Sequence, residues 1–266
     1  MTPSLRFDLA VITRALGAAA CRFDIDILAS CDSTNGLLLA RAEAGAPSGT
    51  VVVAEQQTAG RGRRGRSWIS AAADSLTFSL LWRFAPGASL AGLSLAVGVA
   101  VAQAVEKVGA GTTANPGIQL KWPNDILLRR QKLGGILVEL VPGMLHGGMA
   151  AVIGIGINQR LPVALPEDVR AAALDHDVDA NALLAAVLTE VLHVLEDFAG
   201  AGFATQREAW LARHAFQDQP VVLLSDFAPP RHGICRGVAA DGALLLEAEG
   251  RIERILSGEI SLRVAP

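Results

Sequence analysis

Residues 56–68 read Gln56-Gln57-Thr58-Ala59-Gly60-Arg61-Gly62-Arg63-Arg64-Gly65-Arg66-Ser67-Trp68. This glycine-arginine loop separates two predicted strands, residues 50–54 and 75–84, and it carries four arginines within six residues of an otherwise acidic chain. Glycine allows unusual backbone dihedrals and a close approach of N–H groups to a ligand, and guanidinium groups match phosphate oxygens. The loop therefore predicts a phosphate-bearing ligand. Because its arginines repel one another, we expect it to be mobile when empty and ordered when that ligand binds.

Two common nucleotide-binding patterns also fit the glycine-arginine loop. Gly60, Gly62 and Gly65 satisfy G-x-G-x-x-G, and residues 60–67 satisfy the Walker A spacing with Arg66 in place of the lysine. Both patterns need a helix directly after the glycines, because the helix N-terminus holds the phosphate. A strand is predicted after this loop, so we reject both patterns. A solvated basic surface loop and a nucleic-acid-binding patch are the alternatives for the loop taken alone.

The composition narrows the class of protein. The chain has 266 residues, of which 51% are hydrophobic and 18% charged, and its net charge is −3. This length allows one large domain, or a large domain with a small one, and the hydrophobic fraction excludes a disordered chain. Three cysteines are too few for a disulfide scaffold. The uncharged stretch 84–105 is rich in small residues, which favours a buried helix over a membrane span. We therefore expect a cytoplasmic protein.

Hydrophobic periodicity predicts an α+β body followed by a small β domain. Strands are predicted at residues 23–28, 50–54, 75–84, 118–122, 126–128, 134–140 and 149–157. Helices are predicted at residues 37–44, 89–108, 180–198 and 209–215. Ser33 or Thr34 is the expected N-cap of the first helix, and Thr205 with Glu208 forms an expected capping box for the last. From residue 217 short strand-like runs, with Asp241-Gly242 as a hairpin turn, predict a barrel-like domain.

A second polar cluster, Lys121-Trp122-Pro123-Asn124-Asp125, lies between two predicted strands. It brings a lysine, an amide and a carboxylate together beside a turn that proline restricts. Asp125 is a candidate ligand for Mg²⁺ or a partner for a nearby arginine. The simpler interpretation is an Asn-Asp turn between two strands.

Three further segments place polar residues at the ends of predicted elements. Lys132 comes just before Gly134-Gly135 and a buried strand, in a position to point at a ligand from a rigid rim. Asn158 ends another strand and can both donate and accept hydrogen bonds. Ser33-Thr34-Asn35 lies at a predicted helix N-terminus, which favours anions. Each of these signals is weak when it is taken alone.

Together and in this order, the segments resemble those of biotin protein ligases, which attach biotin to biotin-dependent carboxylases. The matching segments are residues 32–35, 60–68, 121–125, 132–137, 154–158, 242–246 and 257–261. The resemblance extends over nearly the whole chain, from Phe23 to Arg263. The glycine-arginine loop and the Lys-Trp-Pro-Asn-Asp motif are its most specific parts. Arg160 is a departure, because the family often has an asparagine at that position.

The resemblance implies a fold and a division into domains. It implies a catalytic domain, residues 1–216, with a mixed β-sheet flanked by helices, similar to class II aminoacyl-tRNA synthetases. Residues 217–266 would form a small SH3-like β-barrel. Some members carry an N-terminal helix-turn-helix module and also repress transcription. Only residues 1–22 precede the first predicted strand here, so we expect the non-repressor type, without DNA as a partner. We also expect no membrane partner, and either a monomer or a homodimer.

The resemblance also implies a reaction with ATP, Mg²⁺ and biotin. The biotin carboxylate attacks the α-phosphate of ATP to give biotinyl-AMP and pyrophosphate. A lysine of a biotin carboxyl carrier domain, in acetyl-CoA carboxylase or a related carboxylase, then takes the biotinyl group and releases AMP. The glycine-arginine loop would close over the intermediate and keep water away from it.

The family's functional residues carry over to these positions in three groups. The expected catalytic residues are Arg63, Arg66, Asp125 and Lys132, with Asp125 also the candidate Mg²⁺ ligand. The expected biotin-binding residues are Ser33, Thr34, Asn35, Gln57, Gly60, Arg61, Lys132 and Gly135. The expected ATP- or adenylate-binding residues are Arg63, Arg64, Arg66, Trp68, Lys121, Asn124 and Asn158.

Two other functions compete with biotin ligation. Lipoate ligases and octanoyl transferases share a related fold and also acylate a lysine of a carrier domain. The intact glycine-arginine loop and the Lys-Trp-Pro-Asn-Asp motif favour biotin over these substrates. A nucleic-acid-binding module built on the arginines predicts strongly salt-dependent binding without ATP turnover, and the acidic net charge disfavours it.

The glycine-arginine loop yields a first test. We expect Arg63→Gly to release biotinyl-AMP into solution, because the loop that should retain the intermediate loses one of its phosphate-binding guanidinium groups. The measurement is the amount of free biotinyl-AMP formed from biotin and ATP without an acceptor. Retention as tight as in the unchanged protein would contradict a clamping role for the loop.

Overall fold

The computed structural model describes residues 5–69, 74–109, 117–142, 148–161, 171–174, 178–225, 228–256 and 260–264. Its α-helices are α1 (Leu9–Leu16), α2 (Thr34–Glu43), α3 (Leu93–Gly109), α4 (Ala180–Ala201) and α5 (Arg207–Leu211). Its first seven strands are β1 (Asp24–Cys31), β2 (Thr50–Gln57), β3 (Ser75–Phe84), β4 (Ile118–Lys121), β5 (Asp125–Leu128), β6 (Gln131–Pro142) and β7 (Met149–Asn158). The remaining strands are β8 (Pro220–Ser225), β9 (Arg231–Val238), β10 (Leu244–Ala248), β11 (Arg251–Ile255) and β12 (Ile260–Val264).

Two separate sheets organise these strands. The first has seven strands in the order β1-β2-β3-β7-β6-β5-β4, in which β1 and β2 are parallel and the other neighbours antiparallel. The second is an antiparallel five-stranded sheet in the order β11-β10-β9-β8-β12. The predicted α+β fold, with a mixed sheet and a small C-terminal β domain, is confirmed. The boundary at residue 217 stays a prediction, although the second sheet begins close to it, at Pro220.

Helices cover both faces of the mixed sheet because its strands carry apolar side chains on both faces. The three isoleucines of β7 join the main core together with residues of α1, α3 and α4. Ala150 and Val152, on the opposite face of β7, pack in a smaller cluster with Leu38 of α2. Gly154 and Gly156 continue that face of the strand. Strand β7 therefore supports α2 with side chains and then leaves an open floor near the start of the helix.

Sequence predictions of helix ends had mixed outcomes. Ser33 is the N-cap of α2, as predicted, and its Oγ accepts a hydrogen bond from the Gly36 N–H at 3.3 Å. The capping box at Thr205 was wrong, because the Thr205 hydroxyl instead donates to the Gly202 carbonyl and α5 begins at Arg207. Helix α1 and strand β12 were not predicted at all.

The uncharged stretch 84–105 supplies most of α3, and the prediction of a buried helix there is confirmed. Twelve of the residues in α3 are buried, because the helix packs between the mixed sheet and α4. Within the described ranges, no helix is both long enough and apolar enough to cross a membrane.

The C-terminal sheet packs on the body through the β9–β10 turn. The indole Nε1 of Trp122, which is fully buried, donates to the Gly242 carbonyl at 3.1 Å. Gly242 has φ +82°, and a Cβ atom there would lie 2.8 Å from Gly92 Cα and 2.8 Å from Leu95 Cδ1. Glycine is required here for its left-handed backbone and for the space it leaves. The same turn therefore positions the small domain against the motif that contains Trp122.

Gly242→Ala should lower the free energy of unfolding more than a comparable substitution elsewhere in the small domain. The matched control is Gly250→Ala, because Gly250 has φ +73° but no atom within 4 Å of the added Cβ. Left-handed backbone strain should cost each variant about 1–2 kcal/mol. The overpacking against α3 should cost Gly242→Ala about 1–3 kcal/mol more. Urea unfolding measures both, and equal losses would argue against tight docking at this turn.

Candidate active site

Gly154 and Gly156 of β7 form what we call the glycine floor. A cleft lies over this floor, between the start of α2, the glycine-arginine loop and the turn that joins β4 to β5. Fourteen of the residues predicted for the site line this cleft, namely Ser33, Thr34, Asn35, Gln57, Arg61, Arg63, Arg64, Arg66, Trp68, Lys121, Asn124, Asp125, Lys132 and Gly135. These residues come from separate parts of the chain, and the strand order of the sheet brings them together. Gly60 and Asn158 are not part of the lining.

The glycine-arginine loop folds as a small hairpin. The Trp68 N–H donates to the Gly60 carbonyl at 2.8 Å, and the Gly62 N–H donates to the Arg66 carbonyl at 2.7 Å. Gly65 lies at the tip with φ +65°, a left-handed conformation that favours glycine. A Cβ atom on Gly60 would lie 2.5 Å from the Trp68 carbonyl oxygen. These glycines therefore shape the loop, and the arginines between them extend from it.

Two side-chain contacts join the loop to strand β6 and to the turn between β4 and β5. Arg61 Nη2 lies 2.7 Å from Glu139 Oε1 on β6, in an ion pair. Arg63 Nη1 donates to Asn124 Oδ1 at 3.1 Å. Asn124 is itself fixed, because its Nδ2 donates to the Ile136 carbonyl at 2.8 Å. The ordering of the loop by a ligand stays a prediction.

Asp125 holds the two lysines of the cleft. Its Oδ2 lies 3.0 Å from Lys121 Nζ, and its Oδ1 lies 2.7 Å from Lys132 Nζ. Burial alone would raise the pKa of the Asp125 carboxyl, but the two ammonium groups outweigh burial and lower this pKa to about 2. Burial also lowers the pKa of Lys121, and the charge of Asp125 partly offsets that effect. The Asp125 carboxylate is therefore ionised throughout the neutral range.

The described residues do not form a dedicated metal site around Asp125. Both carboxylate oxygens already contact an ammonium group. Within the described part of the chain, no group of three or more His, Cys, Asp or Glu residues is arranged to hold a metal ion. A divalent cation here would have to rely on oxygens of its substrate, as Mg²⁺ does when it binds with nucleotide phosphates.

A buried network of hydrogen bonds holds the first turn of α2 against the neighbouring strands. Gln57 Oε1 accepts hydrogen bonds from Thr34 N at 2.8 Å and from Thr34 Oγ1 at 3.1 Å. The Ser79 hydroxyl, fully buried on β3, lies 2.8 Å from Thr34 Oγ1 and 2.5 Å from Asn35 Oδ1. The Asn35 amide has Nδ2 2.9 Å from Glu139 Oε2. The network thereby joins α2 to strands β2, β3 and β6.

Trp68 covers part of the glycine floor. A Cβ atom on Gly156 would lie 2.5 Å from the Trp68 ring, and one on Gly135 would lie 3.7 Å from it. Lys132 Nζ lies 5.8 Å from the centre of the ring, within the range of a cation–π contact. The buried Nε1 of Trp68 has no hydrogen-bond partner among the described residues. Trp68 therefore gives the cleft an aromatic surface.

Asn158 and Gly60 shape the surroundings of the cleft. The Asn158 amide donates to the Ala172 carbonyl at 3.0 Å and to the Lys132 carbonyl at 3.4 Å. The contact of Asn158 with adenine stays a prediction, as does the contact of Gly60 with biotin.

Sequence reasoning missed three contributions to the site. Ser79 and Glu139 were not selected, because a serine inside an apolar strand and a glutamate at the end of a buried strand have no motif of their own. Strand β12 lines the cleft with Ser261 and Arg263. The family resemblance had included Ser261 but gave it no role. Residues 257–259 of that motif lie outside the described residues.

Two family models match the chain. Residues 27–158 match a model described as the biotin/lipoate A/B protein ligase family. Residues 218–263 match a model described as the biotin protein ligase C terminal domain. The first match covers strands β2 to β7, with the glycine floor and the glycine-arginine loop. The second match covers the five-stranded sheet.

Three of the similar proteins, from three organisms, match most of this chain. The bifunctional ligase/repressor BirA of Escherichia coli is 38% identical over 91% of this chain and 74% of its own length. The biotin–[acetyl-CoA-carboxylase] ligase of Paracoccus denitrificans is 34% identical over 88% of this chain and 98% of its own. The structure of the Aquifex aeolicus biotin protein ligase in complex with biotin and ATP has a TM-score of 0.76 and 31% identity, covering 91% of this chain and 99% of the other.

Asp125→Asn should destabilise the protein at neutral pH, because two ammonium groups would lose their counter-charge. Only 9% of the Lys121 side chain is exposed, so the cost should be about 3 kcal/mol, as for breaking a buried ion pair. The control is Asp26→Asn, which breaks the half-exposed pair between Asp26 and Arg41 and should cost less than about 1 kcal/mol. Urea unfolding at pH 7 compares the two variants.

The acid stability of the same variants tests the pKa of Asp125. Because this pKa is about 2 in the folded state against an ordinary 3.8, the carboxylate stabilises the protein fully above pH 4. That contribution, about 2 kcal/mol, should be lost as the pH falls from 4 through 2. Asp125→Asn should lack this part of the acid transition. An unchanged acid profile would contradict the double ion pair.

Proposed function

The chain belongs to the biotin/lipoate A/B protein ligase family and is a biotin protein ligase, and from that premise we propose which residues carry each step of its reaction. The enzyme uses ATP to activate biotin as biotinyl-AMP and then transfers the biotinyl group to a protein lysine. The observation that carries the residue assignments is the charge of the cleft. Among the residues that the structure describes, its lining has seven arginine and lysine side chains and one carboxylate, that of Asp125.

The excess positive charge suits the first step. The biotin carboxylate must approach the α-phosphate of ATP, and both are anions. Arg63 and Arg66 on the hairpin are our candidates for offsetting this repulsion and stabilising the charge that develops on the phosphate and the departing pyrophosphate. Arg64 and Lys121 would hold other phosphate oxygens. Lys132, on the opposite rim, would hold and orient the attacking carboxylate.

The neutral polar groups near α2 suit the ureido ring of biotin. Ser33, Thr34 and Gln57 offer donors and acceptors beside a floor without side chains, which leaves space for a flat ring. The Asn35 amide is engaged with Ser79, Leu137 and Glu139, so we assign Asn35 to the support of the pocket. Trp68 would cover the adenine or the biotin chain from the loop side, and Asn124 would hold Arg63 in place.

Asp125 is assigned to the lysines and not to a metal ion. With a pKa of about 2, its carboxylate is a poor proton acceptor for the incoming lysine amine. Its two short contacts instead fix Lys121 and Lys132 relative to each other. Mg²⁺ would reach the cleft with ATP and offset the charge of its phosphates.

The second step needs an amine and the exclusion of water. The hairpin of the glycine-arginine loop would keep the mixed anhydride from hydrolysis until the acceptor lysine arrives. We propose a biotin carboxyl carrier domain of acetyl-CoA carboxylase or a related carboxylase as the acceptor, since the Paracoccus denitrificans relative is named for that substrate. A cytoplasmic location and the absence of a repressor function stay predictions.

The alternatives from the sequence have less support. The family description includes lipoate ligases, but both the Paracoccus relative and the Aquifex structure are named as biotin ligases. A nucleic-acid-binding module does not explain why the arginines face a cleft with a polar pocket and a glycine floor.

Lys132→Ala should lower the rate of biotin-dependent ATP–pyrophosphate exchange on the order of 10²-fold, because it removes the group that orients the carboxylate. The control is Lys107→Ala, which removes an exposed lysine that pairs with Glu190 on α4. Unchanged exchange in Lys132→Ala would remove Lys132 from the reaction.

The acceptor is tested by mass spectrometry of an isolated carrier domain after incubation with the protein, ATP and Mg²⁺. We expect addition of one biotinyl group when biotin is supplied, and no addition when lipoate replaces it. Modification by lipoate with equal efficiency would contradict specificity for biotin.

A further inference from the structure

Glu139 joins the glycine-arginine loop to the body of the protein, although no motif selects it. It lies on β6 and turns its side chain toward α2, the same direction as Val141, which packs with Leu38 in the smaller core cluster. Its side chain is 22% exposed, and it is absent from the lining of the cleft. Glu139 is thus a carboxylate beside the site, with no place in the reaction itself.

Both carboxylate oxygens of Glu139 are engaged. Oε1 lies 2.7 Å from Arg61 Nη2, and Oε2 lies 2.9 Å from Asn35 Nδ2. Asn35 is only 3% exposed and is fixed in turn by Ser79. Gly154 makes this arrangement possible, because a Cβ atom there would lie 2.2 Å from Asn35 Oδ1. A buried amide therefore sets the direction in which Glu139 presents its second oxygen to the loop.

The same helical turn also holds the root of the loop. Thr34, next to Asn35, donates twice to Gln57 Oε1 at the end of β2, three residues before the first glycine. The glycine-arginine loop therefore contacts the first turn of α2 at two points, directly at Gln57 and through Glu139 at Arg61. The contact at Arg61 is an ion pair, whereas the contacts at Gln57 are neutral hydrogen bonds. Charge-assisted hydrogen bonds are roughly twice as strong as neutral ones.

We propose that Glu139 is a positioning residue that anchors the glycine-arginine loop over the cleft by holding Arg61. It acts through Arg61 and touches neither substrate. This inference rests on the proposed function only for its consequence, which is retention of the acyl-adenylate. Its structural part, the contact between Arg61 and Glu139, does not depend on the identity of the substrates.

An ordinary surface ion pair would contribute little to holding the loop, so the fixed orientation of Glu139 is important. Exposed pairs lose most of their attraction to water and to side-chain entropy. Arg61 is 49% exposed, but its partner is mostly buried and held by Asn35, which lowers the entropy lost when the pair forms. The backbone hydrogen bonds of the hairpin join its own residues, so the pair adds a contact between the loop and the body that these bonds do not supply. Loss of the pair should therefore release the loop without unfolding the protein.

The test compares Glu139→Gln with Glu190→Gln by trypsin cleavage. Glu190 pairs with Lys107 between α4 and α3, so its substitution removes one carboxylate from an ion pair outside the cleft. Trypsin cuts after the loop arginines, and all four are kept in both variants. Without ligands, Glu139→Gln should be cut in the loop roughly tenfold faster than the unchanged protein, as expected for loss of one charge-assisted contact. Glu190→Gln should be cut at the unchanged rate.

A second measurement separates anchoring from general damage. In Glu139→Gln, the half-life of bound biotinyl-AMP should fall by about the same tenfold factor as the loop cleavage rises, while the rate of ATP–pyrophosphate exchange should fall much less. Equal losses of retention and exchange would point to a damaged pocket and would overturn the proposal. Thermal unfolding of each variant confirms that the cleavage reports on the loop.

Arg61→Gln breaks the same pair from the loop side and provides the independent variant. It should raise cleavage after the other loop arginines, and the double variant should be cut no faster than either single one, because one contact is lost in all three. Additive effects, or a loop in Glu139→Gln that is as resistant as in the unchanged protein, would overturn the anchoring role. If biotin supported no exchange in the unchanged protein, the proposed function would fail, while the cleavage rates would still decide the role of Glu139.

Discussion

The fold and the cleft both depend on strand β7. One face of this strand must carry large apolar side chains for the core, and over the same few residues the other face must carry none. Its isoleucines fill the core beneath α3 and α4. Gly154 and Gly156, on the other face, have no side chains, and Cβ atoms there would collide with Asn35 and with Trp68. Close packing on one side and open space on the other are possible in one strand because successive residues point to opposite faces. The floor of the site therefore lies on the same strand that fills the core.

The charges above this floor are arranged around two carboxylates, to which we assign the positioning of other side chains and no direct part in the reaction. Asp125 holds Lys121 and Lys132 on one rim, and Glu139 holds Arg61 near the other. Two carboxylates do not neutralise the cleft, so its excess positive charge is left for anionic substrates. Such preorganisation reduces the rearrangement needed when charge develops, which is the usual source of electrostatic catalysis.

Local patterns in the sequence were enough to predict most of the strands and the two long helices. Alternation and β-branched runs identify β2, β3 and β7, and small buried residues identify α3. The capping box at Thr205 was wrong, since the chain forms a 3₁₀ turn at that point before α5 begins. Strand β12 was missed because its five residues are stabilised by pairing with β8, which is distant along the chain. Motifs identified most of the cleft lining, but they did not identify Ser79 and Glu139, which lie behind the lining and find their partners on α2 and the loop.

The sequence by itself determined the α+β class and the resemblance to biotin protein ligases, and it predicted the chemistry of an anion-binding site. These conclusions depend on periodicity and on residue types at fixed spacing, which a single chain displays directly. The tertiary structure alone decided which polar groups meet. It paired Asp125 with two lysines, gave Asn35 to Ser79 and Glu139, and brought β12 of the second sheet to the wall of the cleft. The reason is physical, because a contact between distant residues depends on strand order, on register and on the direction of each side chain, and none of these is encoded in a local pattern.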